Sequence, residues 1–190
     1  MKIAITGGIG SGKSFVSNLL KNAGTDVYDC DKEAKRLMHT SQELQEKLSA
    51  LIGRKICNDG GLDKRAIAEF LLHSEHNKQK INSIVHPAVA ADFLASGKEW
   101  LESAILFESG FCHRIHFDYI VCVTAPLNVR AARVALRDNI STDKARQWIE
   151  SQLPQKQMEE QSDFIINNDG KANVNEQLEN ILQILTKQNY

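Results

Sequence analysis

The sequence predicts an α/β fold: a three-layer sandwich around a five-stranded parallel sheet, with a helical substrate-binding insert and a helical lid. Three observations carry this prediction. A glycine-rich turn near the start joins an apolar run to a helical pattern. Short, continuously apolar runs then recur between helical patterns, as strands buried on both faces do. The stretch from about 32 to 96 is helical and too long for an ordinary crossover. Residues 1–190 fit one domain, with the insert at about 32–96 and the lid at about 128–160.

The elements follow in order. Residues 2–6 read as a strand, and Ser14 to Asn22 as a helix closed by Gly24 just past its end. Asp26-Val27-Tyr28-Asp29 is a short second strand leading into a helix marked by Ala34, Leu37 and Met38. Thr40-Ser41-Gln42-Glu43 reads as a capping box for a helix striped by Leu44, Leu48, Leu51 and Ile52 and ended by Gly53. Asp59-Gly60-Gly61 is a turn, after which Ile67, Phe70 and Leu71 mark one helix and Ile81, Ile84 and Val85 another. His86-Pro87 restarts the chain, with proline suited to the first position of a helix over 87–96. Ala104-Ile105-Leu106-Phe107 and Tyr119-Ile120-Val121-Cys122-Val123 read as buried strands, residues 128–138 and 142–152 as helices, and Asp163-Phe164-Ile165-Ile166 as the fifth strand. Asn173 with Glu176 caps a last helix whose stripe is Val174, Leu178, Ile181, Leu182 and Leu185.

The chemistry starts at the first turn. Gly7-Gly8-Ile9-Gly10-Ser11-Gly12-Lys13-Ser14 has the form G-x-x-x-x-G-K-S and follows the apolar Ile3-Ala4-Ile5. In that order a strand ends, a glycine-rich loop exposes successive N–H groups, and a helix begins with its positive end facing the same space. Lys13 can reach the β- and γ-phosphates of a nucleotide, and the Ser14 hydroxyl can join a Mg²⁺ shell. The sandwich is therefore of the P-loop NTPase type. Function has to come from other residues, because this fold serves many reactions.

Composition narrows the classes. A net charge of −1 argues against a general binder of nucleic acid or membrane surfaces. Four cysteines without a C-x-x-C pair or metal-ligand spacing read as free thiols of a reducing compartment. No signal peptide and no membrane-length apolar run is present, so a cytoplasmic protein is expected. The guanine-reading N-K-x-D of GTPases has only Asn77-Lys78-Gln79-Lys80 as a near match, without its aspartate.

Two further constellations point to catalysis. Asp29 and Asp31 follow the second strand, where a carboxylate can accept a proton from an attacking hydroxyl or order the Mg²⁺ water shell. One of them can instead serve as a helix N-cap. Arg130, Arg133 and Arg137 share one helix face at i, i+3 and i+7, either a solvated basic face or a lid that neutralises charge during phosphoryl transfer.

Taken together, these segments resemble the dephospho-CoA kinases over nearly the whole chain. The resemblance rests on Thr6-Gly7-Gly8-Ile9-Gly10-Ser11-Gly12-Lys13-Ser14, Asp29-Cys30-Asp31, Asp59-Gly60-Gly61-Leu62-Asp63, His86-Pro87, Leu106-Phe107-Glu108, Arg133 with Arg137-Asp138, and Gln152 with Asn168 and Gly170. Ala104 in place of the family's usual proline, Lys64 in place of arginine, and Arg130 in place of a frequent glutamine depart from its pattern. The resemblance implies transfer of the ATP γ-phosphate to the ribose 3′-hydroxyl of dephospho-CoA, with Mg²⁺ as cofactor. It implies Asp31 as general base, Lys13 and Arg137 as catalytic partners, and Ser14 as metal ligand. Gly8, Gly10, Ser11, Gly12, Phe15, Arg133 and Asn168 complete the nucleotide contacts, Asn168 near the adenine. His86 is either a structural cap or a contact to the acceptor. The expected partners are ATP and dephospho-CoA, with no nucleic acid or membrane, and the chain is expected as a monomer or weak homo-oligomer. Another small-molecule or nucleotide kinase, or an ATP-controlled binding module without turnover, is the alternative.

Overall fold

The computed structural model describes residues 1–58 and 61–187. In chain order the elements are β1 (Ile3–Thr6), α1 (Lys13–Asn22), β2 (Val27–Asp29), α2 (Cys30–Thr40), α3 (Gln42–Ile52), β3 (Cys57–Asn58), β4 (Gly61–Leu62), α4 (Lys64–His73) and α5 (Glu75–Ala95). They continue with β5 (Trp100–Glu102), α6 (Phe111–Arg114), β6 (Tyr119–Thr124), α7 (Leu127–Asp138), α8 (Thr142–Glu150), α9 (Gln155–Glu160), β7 (Phe164–Asn167) and α10 (Val174–Lys187). The chain divides into two compact units. One comprises residues 1–28, 98–112 and the chain from His116 on, and the other residues 29–97 with 113–115.

The first unit is built on the predicted five-stranded parallel sheet, ordered β2-β5-β1-β6-β7. Ile3 and Ile5 of β1 are fully buried, as are Val121 and Val123 of β6. They share a core cluster with Val16 and Leu20 of α1 and with Val174, Leu178, Ile181 and Leu185 of α10. Alternation along β6 turns Cys122 to the opposite face. There Ser162 and Glu159, at the end of α9, lie beside its thiol, and burial pushes that thiol up to about 12. Helices therefore cover both faces of the sheet. A hairpin of α7 and α8 packs through Ala131, Val134, Ala145 and Ile149, with Ile9 of the glycine-rich loop against it.

The second unit is a helical bundle in which α2, α3 and α4 each pack on α5. Its α3 is capped by Ser41, whose hydroxyl accepts from Leu44 N at 3.3 Å, rather than by the expected Thr40. Thr40 instead donates to Arg36 O at the end of α2. Asp59 and Gly60 of the predicted turn lie outside the described residues, whereas the flanking β3 and β4 pair antiparallel.

Two elements differ from the sequence reading. The segment 104–107 is a turn, and the strand it was to form lies earlier, at β5. Glu102, buried at the end of that strand, interrupts the apolar run and so hides it from a rule that looks for continuous hydrophobicity. The chain also does not restart at His86-Pro87: α5 runs through both residues. Ile81, Val85, Val89 and Phe93 are all buried and recur every four residues straight through the proline, so packing of this stripe outweighs the hydrogen bond that Pro87 cannot donate to Ser83 O.

An interior proline costs a helix about 3 kcal/mol, and about 1 kcal/mol of this is returned because proline restricts the unfolded chain. Replacing the exposed Pro87 by alanine is therefore expected to stabilise the protein by about 1–2 kcal/mol. Urea denaturation measures this. An unchanged or lower midpoint would contradict a continuous α5.

None of the four cysteines is in a disulfide, and among the described residues no helix is long and apolar enough to cross a membrane.

Candidate active site

β1 delivers the chain at Thr6 to a loop that ends where α1 begins. Gly12 precedes the helix at φ 99°, in the left-handed region, and no side chain caps the helix. The loop is folded by Ser11 N donating to Gly8 O at 3.1 Å and by Phe15 N and Val16 N donating to Gly12 O at 3.0 and 3.2 Å. The amides of Gly8, Gly10, Gly12 and Ser14 find no acceptor among the described residues. The first turn of α1 carries no acidic side chain to occupy them. Unpaired amides converging at a helix N-terminus form an anion nest. Lys13 stands at the same point, its Nζ 3.4 Å from Gly8 O.

Distant side chains brace the rest of the loop, one at an amide and the others at carbonyls. Ile9 N donates to Gln152 Oε1 at 2.7 Å, and Ile9 O accepts from Arg130 Nε at 2.9 Å. Arg130 also donates to Gln155 Oε1. Arg133 Nη1 reaches Gly10 O and Ser11 O at 3.3 and 3.4 Å, and its Nη2 reaches Asn168 Oδ1 at 3.3 Å. Asn168 Nδ2 completes the brace with a 2.9 Å bond to Ser11 O. Side chains from α7 and from just past β7 therefore hold carbonyls of the loop, Gln152 of the α8–α9 connection holds the Ile9 amide, and the amides of Gly8, Gly10, Gly12 and Ser14 are left to a ligand.

The three arginines share a helix face but not an environment. Arg130 is only 5% exposed and lies beneath the loop. A Cβ at Gly8 would sit 1.9 Å from its Nη2, so the glycine makes room for the guanidinium. Arg133 grips the loop backbone. Arg137 alone faces solvent, paired with Asp138 at 2.9 and 2.7 Å. Burial lowers the Arg130 pKa and Asp138 raises that of Arg137; neither effect discharges an arginine.

Glu102 is the site residue that the sequence reading missed. It ends β5, the strand beside β1, and is 9% exposed. Its carboxylate accepts from Ser14 Oγ at 3.2 Å and from Ser17 Oγ at 2.7 Å. The available signal was a single acid closing the apolar Trp100-Leu101. Ser14 and Glu102 together present hard oxygen donors suited to Mg²⁺. Among the described residues no group of three or more His, Cys, Asp or Glu could hold a metal alone. Thr6 Oγ1 and Ser11 Oγ are buried without a partner, and both belong to this loop region. Orphaned hydroxyls concentrated there mark a site that a ligand or water completes.

Phe15 is 51% exposed in the first turn of α1. The remaining predicted residues belong to the helical unit. Asp29 is the N-cap of α2, accepting from Lys32 N at 3.0 Å. Asp31 is exposed in the same first turn and has no capping role. His86 lies in the interior of α5 and is therefore not a helix cap.

A parallel sheet with helices on both faces, a G-x-x-x-x-G-K-S loop that opens four amides to an anion and a carboxylate on the neighbouring strand define a P-loop phosphotransferase. Comparison with known proteins narrows the class. The family model described as dephospho-CoA kinase matches residues 1–174. A dephospho-CoA kinase of Bacteroides fragilis is 42% identical over 178 residues, covering 90% of this chain and 86% of that protein. Among solved structures, TT1252 from Thermus thermophilus superposes with a TM-score of 0.77 at 28% identity, covering 99% of this chain and 97% of its own. A dephospho-CoA kinase from Campylobacter jejuni shares the fold, with a TM-score of 0.69 at 22% identity and full coverage of both chains. The chain belongs to the dephospho-CoA kinase family.

Proposed function

We propose that this chain transfers the γ-phosphoryl group of ATP to the ribose 3′-hydroxyl of dephospho-CoA, giving coenzyme A and ADP. The observation that carries this reading is the loop of residues 7–14, braced by distant side chains with the amides of Gly8, Gly10, Gly12 and Ser14 open to an anion, in a member of this family. Those amides and Lys13 hold the β- and γ-phosphates, with Gly8, Gly10, Ser11, Gly12 and Phe15 bordering them. Asp31 accepts the proton of the 3′-hydroxyl as that oxygen forms its bond to the γ-phosphorus. The bond from the γ-phosphorus to the bridging oxygen breaks, and the electron pair leaves with ADP.

Arg137 exchanges Asp138 for the phosphates, and Arg133, which grips the loop at Gly10 O and Ser11 O, is the second choice for that contact. Asn168, which braces Ser11, borders the adenine, and His86 contacts the acceptor. Ser14 and Glu102 would hold Mg²⁺, which when bound neutralises charge on the β- and γ-oxygens. The protein works in the cytoplasm, as a monomer or weak homo-oligomer, and its partners are ATP and dephospho-CoA, not nucleic acid or membrane.

The test offers ATP and Mg²⁺ with dephospho-CoA, AMP or shikimate as acceptor and identifies the product by mass. Phosphorylation of dephospho-CoA alone is expected. Transfer to AMP or shikimate without transfer to dephospho-CoA would make the protein another small-molecule kinase. Tight ATP binding without turnover on any acceptor would make it a binding module.

A further inference from the structure

Ser17 is a hydroxyl on the apolar face of a helix. The buried residues of α1 are Val16, Ser17 and Leu20, and Val16 and Leu20 pack in the sheet's core cluster. Ser17 is 1% exposed. A serine inside a helix commonly donates back to the carbonyl one turn earlier. Ser17 Oγ instead donates to Glu102 Oε2 at 2.7 Å, 85 residues along the chain. A buried hydroxyl and a buried carboxylate oxygen are each costly without a partner, and here each satisfies the other.

The two oxygens of Glu102 are held unequally. Ser14 and Ser17 are three residues apart and share a face of α1. Ser17 gives Oε2 a 2.7 Å bond, the length of a strong hydroxyl-to-carboxylate bond. Ser14 Oγ stands 3.2 Å from Oε1, past the ~2.5–3.0 Å range of a well-made one. Ser14 is exposed and Ser17 buried, so the firm bond lies on the interior side. The lightly held pair, Oε1 and Ser14 Oγ, lies toward the phosphate loop. A glutamate side chain has several rotamers open to it, and the Ser17 bond selects the one that turns Oε1 to Ser14.

We propose that Ser17 is a positioning residue for the metal site: by anchoring Oε2 it keeps Oε1 of Glu102 aimed at Ser14, so that both oxygens are set before the nucleotide arrives. The inference rests on the reading of Ser14 and Glu102 as the residues that would hold Mg²⁺. It divides two hydroxyls of one helix face by task, Ser14 as ligand and Ser17 as anchor. Partners that orient a metal ligand in this way are typically worth about 10–100-fold in metal affinity.

The test is calorimetry on the full chain, with ATP titrated in excess Mg²⁺ and, separately, in EDTA. The parent is expected to bind ATP more tightly with Mg²⁺. Ser17→Ala removes the anchor and is expected to raise the Kd for ATP in Mg²⁺ about tenfold or more, while the Kd in EDTA stays at the parental value. Ser17→Cys is close to serine in size but a far weaker donor. It is expected to weaken binding under the same condition, which separates the hydrogen bond from packing. Added to Glu102→Gln, Ser17→Ala is expected to cost little more, because the anchor acts through the carboxylate. Parental Kd values in Mg²⁺ for both Ser17 variants, with the parent showing its Mg²⁺ gain, would overturn the anchor and leave the metal site and the kinase reading intact. An equal loss with and without Mg²⁺ would overturn it too, since it marks a general structural defect. A parent that binds ATP equally in Mg²⁺ and in EDTA would overturn the metal reading of Ser14 and Glu102, and the anchor with it.

Discussion

Asp31→Asn is expected to lower turnover roughly 10²–10⁴-fold, the range for a removed general base, while ATP binding stays at the parental level. The structure makes this a clean substitution. Asp29, not Asp31, caps α2, through a 3.0 Å bond from Lys32 N, so the amide at position 31 leaves the helix start intact. Asn also keeps the volume of the side chain and removes only its capacity to take a proton. Asp29→Ala is the counterpart: loss of the cap costs about 1 kcal/mol of stability, with a modest effect on rate. Single-turnover kinetics with saturating ATP separate the two. Near-parental turnover in Asp31→Asn together with collapse in Asp29→Asn would exchange their roles. A binding module would show no rate for either substitution to change.

The phosphate loop and four of the five sheet strands were legible in the sequence, through local signals. Spacing alone places Gly7 to Ser14 between a strand and a helix, because a nucleotide cradle needs this order within one short segment. β6, β7 and α10 were legible for the same reason, since their apolar periodicity is complete within each element. What escaped depends on partners far along the chain. Glu102 breaks an apolar run, and only its bonds to Ser14 and Ser17 explain why an acid is buried there.

Arg130 and Arg133 share a helix face with Arg137, and periodicity cannot tell a guanidinium bound to carbonyls from one in solvent. Their targets lie more than 100 residues away, at Ile9, Gly10 and Ser11. Pro87 misled in the opposite direction. Its local preference is to start a helix, and the buried stripe from Ile81 to Phe93 overrides it.

Gly12→Ala tests how far the loop depends on that distant bracing. Two separate costs fall on the new methyl group. The backbone at φ 99° is one that L side chains rarely adopt, with a strain of about 1–3 kcal/mol. The methyl would also stand 2.0 Å from Asn168 Nδ2, and that amide is buried and tied to Ser11 O and Arg133. Either Asn168 leaves Ser11 or the loop opens, and both outcomes disorganise the amides that face the phosphates. The strain alone corresponds to a roughly 5–150-fold loss of ATP affinity, and displacement of Asn168 adds to it.

We therefore expect at least about a hundredfold rise in the Kd for ATP, read by calorimetry. Asn168→Ala should remove the clash but not the strain, so the double variant should recover part of the loss, with a positive coupling between the two sites. Strict additivity would mean that the side chain of Asn168 does not constrain the loop, and the brace around Ser11 would lose its meaning.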